Sequence, residues 1–463
     1  VLTIQRLTFD RASYYLSDLG REVPPTRSGV ARSAEWAGGA AASLGLHGAV
    51  DPARFDHLLH GRHPETGHQL RATRAKVLAY DLTFSAPKSA SVLFGLGGEE
   101  AAHEIVEGHR EAVRGALEYV DAHVVSAVRR NQGEVAVLAT SGLVGGAFTH
   151  GVNRNVDPHL HTHVVMANLV HGEDGRWSAL DQRAIWAHQR ATAALYEAHL
   201  RIELTGRLGL RWTQAPFVTA EIEGVPPLLL GEFSTRSADI RRHGFEHGVR
   251  SSRGQRIAAA ATRTDKGEGT AFSDLVPQWQ RRALAALGGP PDLSRWSHDG
   301  PMGSPTLSEH QFAGVLSVAP DGRAHRRDVV SAFAHAAGQG ANASSLGQLT
   351  ELSLPGAGVY PGVAENSYPM STVVPGPHLL RALGPRPLDV GQHALWLEGA
   401  RSINAYRARW RVVGPETLGA SHCQPGWSTD RMVDHLRTAD VMESARARLG
   451  RREPMMIELD RGR

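Results

Sequence analysis

The stretch His150-Gly151-Val152-Asn153-Arg154-Asn155-Val156-Asp157-Pro158-His159-Leu160-His161-Thr162-His163 decides the fold of this 463-residue chain. Residues 160–170 are rich in β-formers, and alternate side chains of a strand share one face, about 6.6 Å apart. His161 and His163 are therefore expected to converge on one ion from a single rigid strand. A second strand is expected over 142–150. If it pairs antiparallel with 160–170 through the 151–159 loop, His150 supplies a third imidazole. Three neutral imidazoles leave coordination positions open, as a catalytic metal requires. His159 shares the face but sits at the strand's mouth and ranks below the other three. In a chain with 25 histidines, such alternation also fits an accident of composition or a structural metal site, so support must come from elsewhere.

Outward from this stretch, residues 1 to about 275 read as α+β structure. Val1 to Leu7 is a short apolar strand, and Asp10-Arg11-Ala12-Ser13-Tyr14-Tyr15-Leu16 is a helix start with Asp10 as N-cap. Tyr80 to Ser85 is strand-like, followed by a turn at Ala86-Pro87 and a helix from Lys88 onward. Residues 101–128 carry helical-period apolar positions. Strands follow at 135–138 and then in the histidine region; Glu173-Asp174-Gly175 turns into Trp177-Ser178-Ala179-Leu180, and a long amphipathic helix covers 182–208. Residues 290–376 are loaded with Gly, Pro, Ser and Ala, and only 326–337 looks helical there. Helical pattern returns at 392–409 and 428–449. The expected organisation is a catalytic unit at 1–275, a linker or poorly ordered region at 276–376, and a small helical region at 377–463.

Composition narrows the classes. The hydrophobic share of 41% and charged share of 21% are ordinary for a globular protein, and no apolar run reaches the ~18 residues of a membrane span. Cys423 is the single cysteine, which excludes an intrachain disulfide. With an opening Val1-Leu2-Thr3-Ile4 that lacks the blocks of a secretory signal, it favours the cytosol. A net charge of +3 is compatible with a polyanionic partner but decides little. Lysine occurs only at Lys76, Lys88 and Lys266, none in the context of a phosphate-binding P-loop, so no ATP motor and no nucleotide are expected.

A nucleophile is the second requirement of metal-assisted transfer chemistry. Tyr14 and Tyr15 lie beside a short strand at a helix start, where orphan backbone N–H groups favour negative charge. A phenol titrates near ~10, so attack at neutral pH needs a nearby base or a phosphate already polarised by a metal. Taken without the histidines, a tyrosine pair is ordinary packing.

Three blocks in this order, Ser13-Tyr14-Tyr15, Asp81-Leu82-Thr83-Phe84-Ser85-Ala86-Pro87-Lys88-Ser89, and His150 through Asp157-Pro158-His159-Leu160-His161-Thr162-His163, resemble the motifs of TrwC/TraI-type (MobF) conjugative relaxases. Trp177 to Asp181 and Ala220-Glu221-Ile222-Glu223-Gly224-Val225-Pro226 extend the similarity, which covers roughly residues 1–275. The resemblance implies a histidine-hydrophobe-histidine (HUH) endonuclease fold, an antiparallel central sheet flanked by helices with the metal on the sheet. It implies Tyr14 as nucleophile with Tyr15 as secondary candidate, and His150, His161 and His163 as ligands of a divalent ion, Mg²⁺ or Mn²⁺ foremost. Asp81 would orient a ligand histidine or help accept the tyrosine proton. The implied reaction is strand-specific nicking of single-stranded DNA at a transfer origin through a 5′-phosphotyrosine adduct, religated by reversal. Relaxosome accessory and coupling proteins are the implied partners, and passage into a recipient cell on the DNA is implied too.

The chain departs from the family pattern in two places. No tyrosine lies between Tyr15 and Tyr80, where many relatives carry a second pair, so a single-tyrosine cycle is expected. Relatives usually continue into a helicase; Ala394-Leu395-Trp396 through Arg407-Ala408-Arg409-Trp410 resembles the C-terminal regions of long relaxases, consistent with loss of an internal motor. Arg71, Arg74, Arg129, Arg130, Arg154 and Lys88 are candidate phosphate contacts, and Trp177 or Trp186 candidate base-stacking surfaces. The rival readings are a rolling-circle replication initiator, which shares the chemistry, a catalytically inactive DNA-binding remnant, and a metal-binding module without nucleic acid, which leaves Tyr14 and Asp81 as coincidences.

Overall fold

The structure, a computed structural model, describes residues 1–9, 15–16, 34–71, 76–131, 134–213, 219–249, 252–262, 272–296, 323–343, 345–347, 350 and 368–369. In chain order the strands that frame the site are β1 (Leu2–Leu7), β2 (Glu35–Ala37), β3 (Ala79–Ser85), β4 (Ala127–Asn131), β5 (Glu134–Leu138), β6 (Gly145–Val152), β7 (Pro158–Ala167), β8 (Val170–His171) and β9 (Trp177–Ser178). Five of them form an antiparallel sheet in the order β1-β3-β7-β6-β2, while β4–β5 and β8–β9 are separate two-stranded ribbons. The expected central antiparallel sheet flanked by helices is present.

The period-two alternation of β7 divides the sheet into two faces. Leu160, Val164 and Met166 point into the main core, whereas His161, His163 and Val165 face the other way. Helices lie on both faces, most of them on the first. Their ranges are α1 (Pro52–Leu59), α2 (Lys88–Leu96), α3 (Glu99–His123), α4 (Gln182–Leu208), α5 (Pro227–Glu232), α6 (Thr235–Glu246), α7 (Ser252–Ala261), α8 (Phe272–Leu287) and α9 (Arg326–Ala336). The long helices α3 and α4 pack together, and glycine sets their separation: a Cβ added at Gly115 would lie 2.3 Å from His199 Nδ1, and one at Gly108 2.8 Å from Leu204. On the opposite face α1 brings Phe55 and Leu59 against Phe148, Tyr15 and Val165.

The local reasons are readable. Asp181 caps α4 by accepting from Arg183 N–H, and Gly209 ends it in the left-handed region at φ 64°, so this helix falls where its periodicity predicts. Helix α3 ends at His123 rather than continuing to 128. The β-branched pair Val124-Val125 leads instead into β4, where a hairpin with β5 satisfies the backbone. The histidine strands are shifted by two or three residues from the expected 142–150 and 160–170.

The expected boundary at residue 275 falls inside α8. Trp279 of that helix is fully buried in the main core, so the compact unit runs through it. Helix α9, within the expected linker, packs on α4, where buried Arg201 donates to the carbonyls of Ala334 and Ala337 at 3.1 and 3.0 Å. Residues 370–463, with both expected tail helices, lie outside the described residues, as do Asp10 to Tyr14. Among the described residues no helix is long and apolar enough to cross a membrane.

Candidate active site

Antiparallel pairing of β6 with β7 sets His150 directly opposite His161, and His163 follows two residues on, on the same face. The ring centroids of His150, His161 and His163 are 5.2 to 5.5 Å apart, and their ligating nitrogens all lie within 4.8 Å of one another. The fit to a metal ion rests on how the rings are held. His161 Nδ1–H donates to the carbonyl of His159 at 2.9 Å, and His163 Nδ1–H donates to both oxygens of Asp81 at 3.0 Å. Each bond fixes the tautomer and leaves Nε2 as the free donor. Burial, then the neighbouring imidazoles His159, His150 and His163, holds the His161 pKa well below the ordinary value, so this ring is neutral and has a lone pair to give. The donor set suits a divalent ion. His159 stacks on His161 with centroids 4.7 Å apart and supplies the orienting carbonyl; it stands outside the three-imidazole group.

Asp81 anchors the arrangement from β3. It is 3% exposed, and besides His163 it accepts from Thr83 Oγ1 at 3.0 Å and from the Tyr15 hydroxyl at 2.7 Å. Three donors satisfy the buried side-chain oxygens. Tyr15 packs between Phe148 and His163, with ring centroids at 5.1 and 5.7 Å. Its hydroxyl lies 3.1 Å from His163 Nδ1, the ring edge opposite Nε2. Tyr14 and Arg74 lie outside the described residues.

The far side of the sheet carries a polar strut that sequence reading missed. His109 of α3 is fully buried, with Nε2 2.8 Å from Thr162 Oγ1 and Nδ1 2.8 Å from the Tyr196 hydroxyl of α4. Thr162 in turn meets Thr149 Oγ1 at 2.9 Å. These threonines are register partners that flank the clustered histidines on β7 and β6. A threonine between His161 and His163 thus has a physical reason: its hydroxyl ties the strand to α3 and α4. The signal was a lone histidine in the apolar stripe Ile105, Ala112, Ala116.

The turn joining β6 to β7 is clamped by helices remote in sequence. Val156 adopts a left-handed φ of 62°, and Asn153 Oδ1 accepts from the N–H groups of Asn155 and Asp157 at 2.9 and 3.0 Å. Asp157 is fully buried; it accepts from Arg282 of α8 at 3.0 Å and from the Thr235 hydroxyl of α6 at 2.6 Å. Trp279 Nε1 donates to the Val156 carbonyl at 2.8 Å. Lys88, at the start of α2, donates to the Pro158 carbonyl at 3.0 Å, and burial lowers its pKa. Glu221, from the 220–226 segment, caps α2 by accepting from Ser89 N–H at 2.7 Å.

The other candidate DNA contacts are scattered. Arg71 is buried against Gly61, and burial lowers its pKa, so its guanidinium is not displayed at the surface. Arg154 is half-buried in the β6–β7 turn. Arg129 is engaged by Asp174 at 2.7 and 2.8 Å, whereas Arg130 is exposed. Trp177 is half-buried and stacked on His171 at 4.7 Å, and Trp186 lies under the guanidinium of Arg6 at 5.9 Å.

Comparison with known proteins places this geometry. The family model described as TrwC relaxase matches residues 8–286. The multifunctional conjugation protein TraI of Escherichia coli is 34% identical over 252 residues, which is 50% of this chain and 13% of that protein. TraI of Escherichia coli strain K12 is 33% identical over a stretch with the same shares. Among solved structures, the conjugative relaxase TrwC in a metal-free complex with oriT DNA superposes with a TM-score of 0.54 at 30% identity, covering 62% of this chain and 99% of that one. A copper-bound structure of TrwC with oriT DNA gives 0.56 at 30% identity with the same coverage. The match spans more than half of the chain and takes in β2, β3, β6 and β7 of the sheet, the three histidines and the clamping helices: this chain belongs to the TrwC relaxase family.

Proposed function

We propose that the chain nicks one strand of DNA at a transfer origin by tyrosine transesterification and stays joined to the new 5′ end. The observation that carries this reading is the group of three imidazoles with the Nδ1 edges of His161 and His163 tied down, in a chain of the relaxase family. His150, His161 and His163 would hold a divalent ion, which would supply positive charge to a bound phosphodiester.

The chain's own residues do the rest. Tyr14 is the nucleophile: its oxygen gives up its proton and forms a bond to phosphorus, the bond to the 3′ oxygen breaks and that oxygen leaves with a proton in exchange, and the product is a phosphotyrosine ester that a 3′-OH can reverse without ATP. Tyr15 is the anchor, because its hydroxyl is committed to Asp81 on the side of His163 away from Nε2. Asp81 orients His163 and keeps the Nδ1 proton in place. Arg154, in the β6–β7 turn, and Lys88, at the start of α2, are the phosphate contacts of this reading. The nitrogen-only donor set favours Mn²⁺ or a later transition ion over Mg²⁺. Origin DNA in the TrwC complexes supports the substrate; accessory and coupling proteins as partners, and transfer into a recipient cell, rest on family membership.

The test uses the full chain with Mg²⁺ or Mn²⁺ and single-stranded oligonucleotides from the origin-like DNA adjoining its gene. A denaturation-resistant protein–DNA adduct is expected, lost in Tyr14→Phe and retained in Tyr15→Phe. Salt-sensitive binding without adduct from the unaltered chain would identify an inactive remnant instead.

A further inference from the structure

A second group of ligating atoms lies away from the sheet. His243 and Glu246 occupy the last turn of α6 and His247 its C-cap, and one ligating atom from each lies within 4.8 Å of the other two. The spacing i, i+3, i+4 brings them to one helical face. The rings of His243 and His247 stack with centroids 4.0 Å apart. His247 Nδ1–H donates to the His243 carbonyl at 2.8 Å, which leaves Nε2 as its free donor. His161 is oriented on a backbone carbonyl in the same way. The carbonyl end of a helix also carries partial negative charge, which favours a cation there, and Glu246 adds a full one.

We infer that His243, Glu246 and His247 form a second divalent metal site, separate from the three-imidazole group. Two imidazoles and one carboxylate match Zn²⁺, Ni²⁺ or Cu²⁺ and select against Mg²⁺, which prefers oxygen and water. Glu246 and His247 are exposed, so water completes the coordination and the ion exchanges readily. The opposite end of α6 holds Asp157 through Thr235. An ion at its C-terminus therefore stiffens the helix that clamps the turn between β6 and β7.

The experiment is a calorimetric titration of the metal-stripped full chain with Ni²⁺, with a competing weak chelator to suppress binding at other histidines. Two equivalents are expected. The pair His243→Ala with His247→Ala should bind one and still form adduct with Mn²⁺, and the pair His161→Ala with His163→Ala should also bind one. Glu246→Gln should weaken the second equivalent by ~10-fold or more, at least the cost of losing an outer partner. Far-UV circular dichroism checks that α6 persists, and His247→Ala alone serves if the double variant loses helix. A single equivalent in the unaltered chain, or two in the His243/His247 variant, overturns the inference. Stoichiometry is read without DNA, so failure of the nicking reaction and failure of this site are separate outcomes.

Discussion

The Tyr15 hydroxyl donates to Asp81 Oδ2 at 2.7 Å while His163 Nδ1–H donates to the same carboxylate at 3.0 Å, so one buried acid couples the amino-terminal segment to a ring of the three-imidazole group. Tyr15→Phe removes a donor from a carboxylate only 3% exposed. A loss of about 1–3 kcal/mol in urea unfolding is expected. Metal affinity should fall by ~10–100-fold, with adduct recovered at saturating metal. Asp81→Asn should weaken metal binding further, because the amide no longer enforces the Nδ1–H tautomer of His163.

The strut behind the sheet predicts a separable effect. Thr162→Val keeps the volume but leaves a buried nitrogen of His109 without its hydroxyl partner. Destabilisation of about 1–3 kcal/mol is expected, together with weaker metal binding because β7 is freed from α3. Thr162→Ser should restore both. Equal metal affinity in the valine and threonine proteins would reduce the strut to a purely structural bond.

Burial lowers His109 and His188 to about 3, so both are neutral in the fold. Below pH 6.5 the unfolded chain takes up these protons and the folded chain does not. The stability they contribute is complete above pH 6.5 and is lost as pH falls from there toward about 3, by about 1.4 kcal/mol per pH unit for each ring. Urea unfolding between pH 7 and 4.5 measures the slope, and His109→Gln should flatten it by one ring's share.

Arg282 reaches across 125 residues to the fully buried Asp157 at 3.0 Å. Arg282→Met strands that carboxylate with Thr235 and Asn153 as its remaining donors. A cost of up to about 3–5 kcal/mol is expected, with faster amide exchange in 151–158 and slower adduct formation.

Much of this geometry was legible because strands and the side chains along them obey short-range rules. The alternation of His159, His161 and His163 gave a face; antiparallel pairing to the 142–150 segment gave the third imidazole; Asp181 and Gly209 bounded α4. What escaped depends on partners distant in sequence. Nothing local marks His109 as the tether of Thr162, 53 residues away, or places Trp279 and Arg282 on a turn more than 120 residues earlier. Arg71 looked like a phosphate contact because a basic residue's burial is invisible until its neighbours are known. The HxxEH spacing of His243, Glu246 and His247 was legible, yet in a histidine-rich chain spacing alone does not separate chelation from coincidence.

The clamp on the β6–β7 turn also sets a timetable. A growing polypeptide exposes its histidine strands to folding long before α8 has emerged, and domains of this size consolidate as units during synthesis. Until Trp279 and Arg282 arrive, Asp157 has no guanidinium partner and the Val156 carbonyl lacks its indole donor. The β6–β7 turn therefore completes its packing only after the ribosome has passed α8.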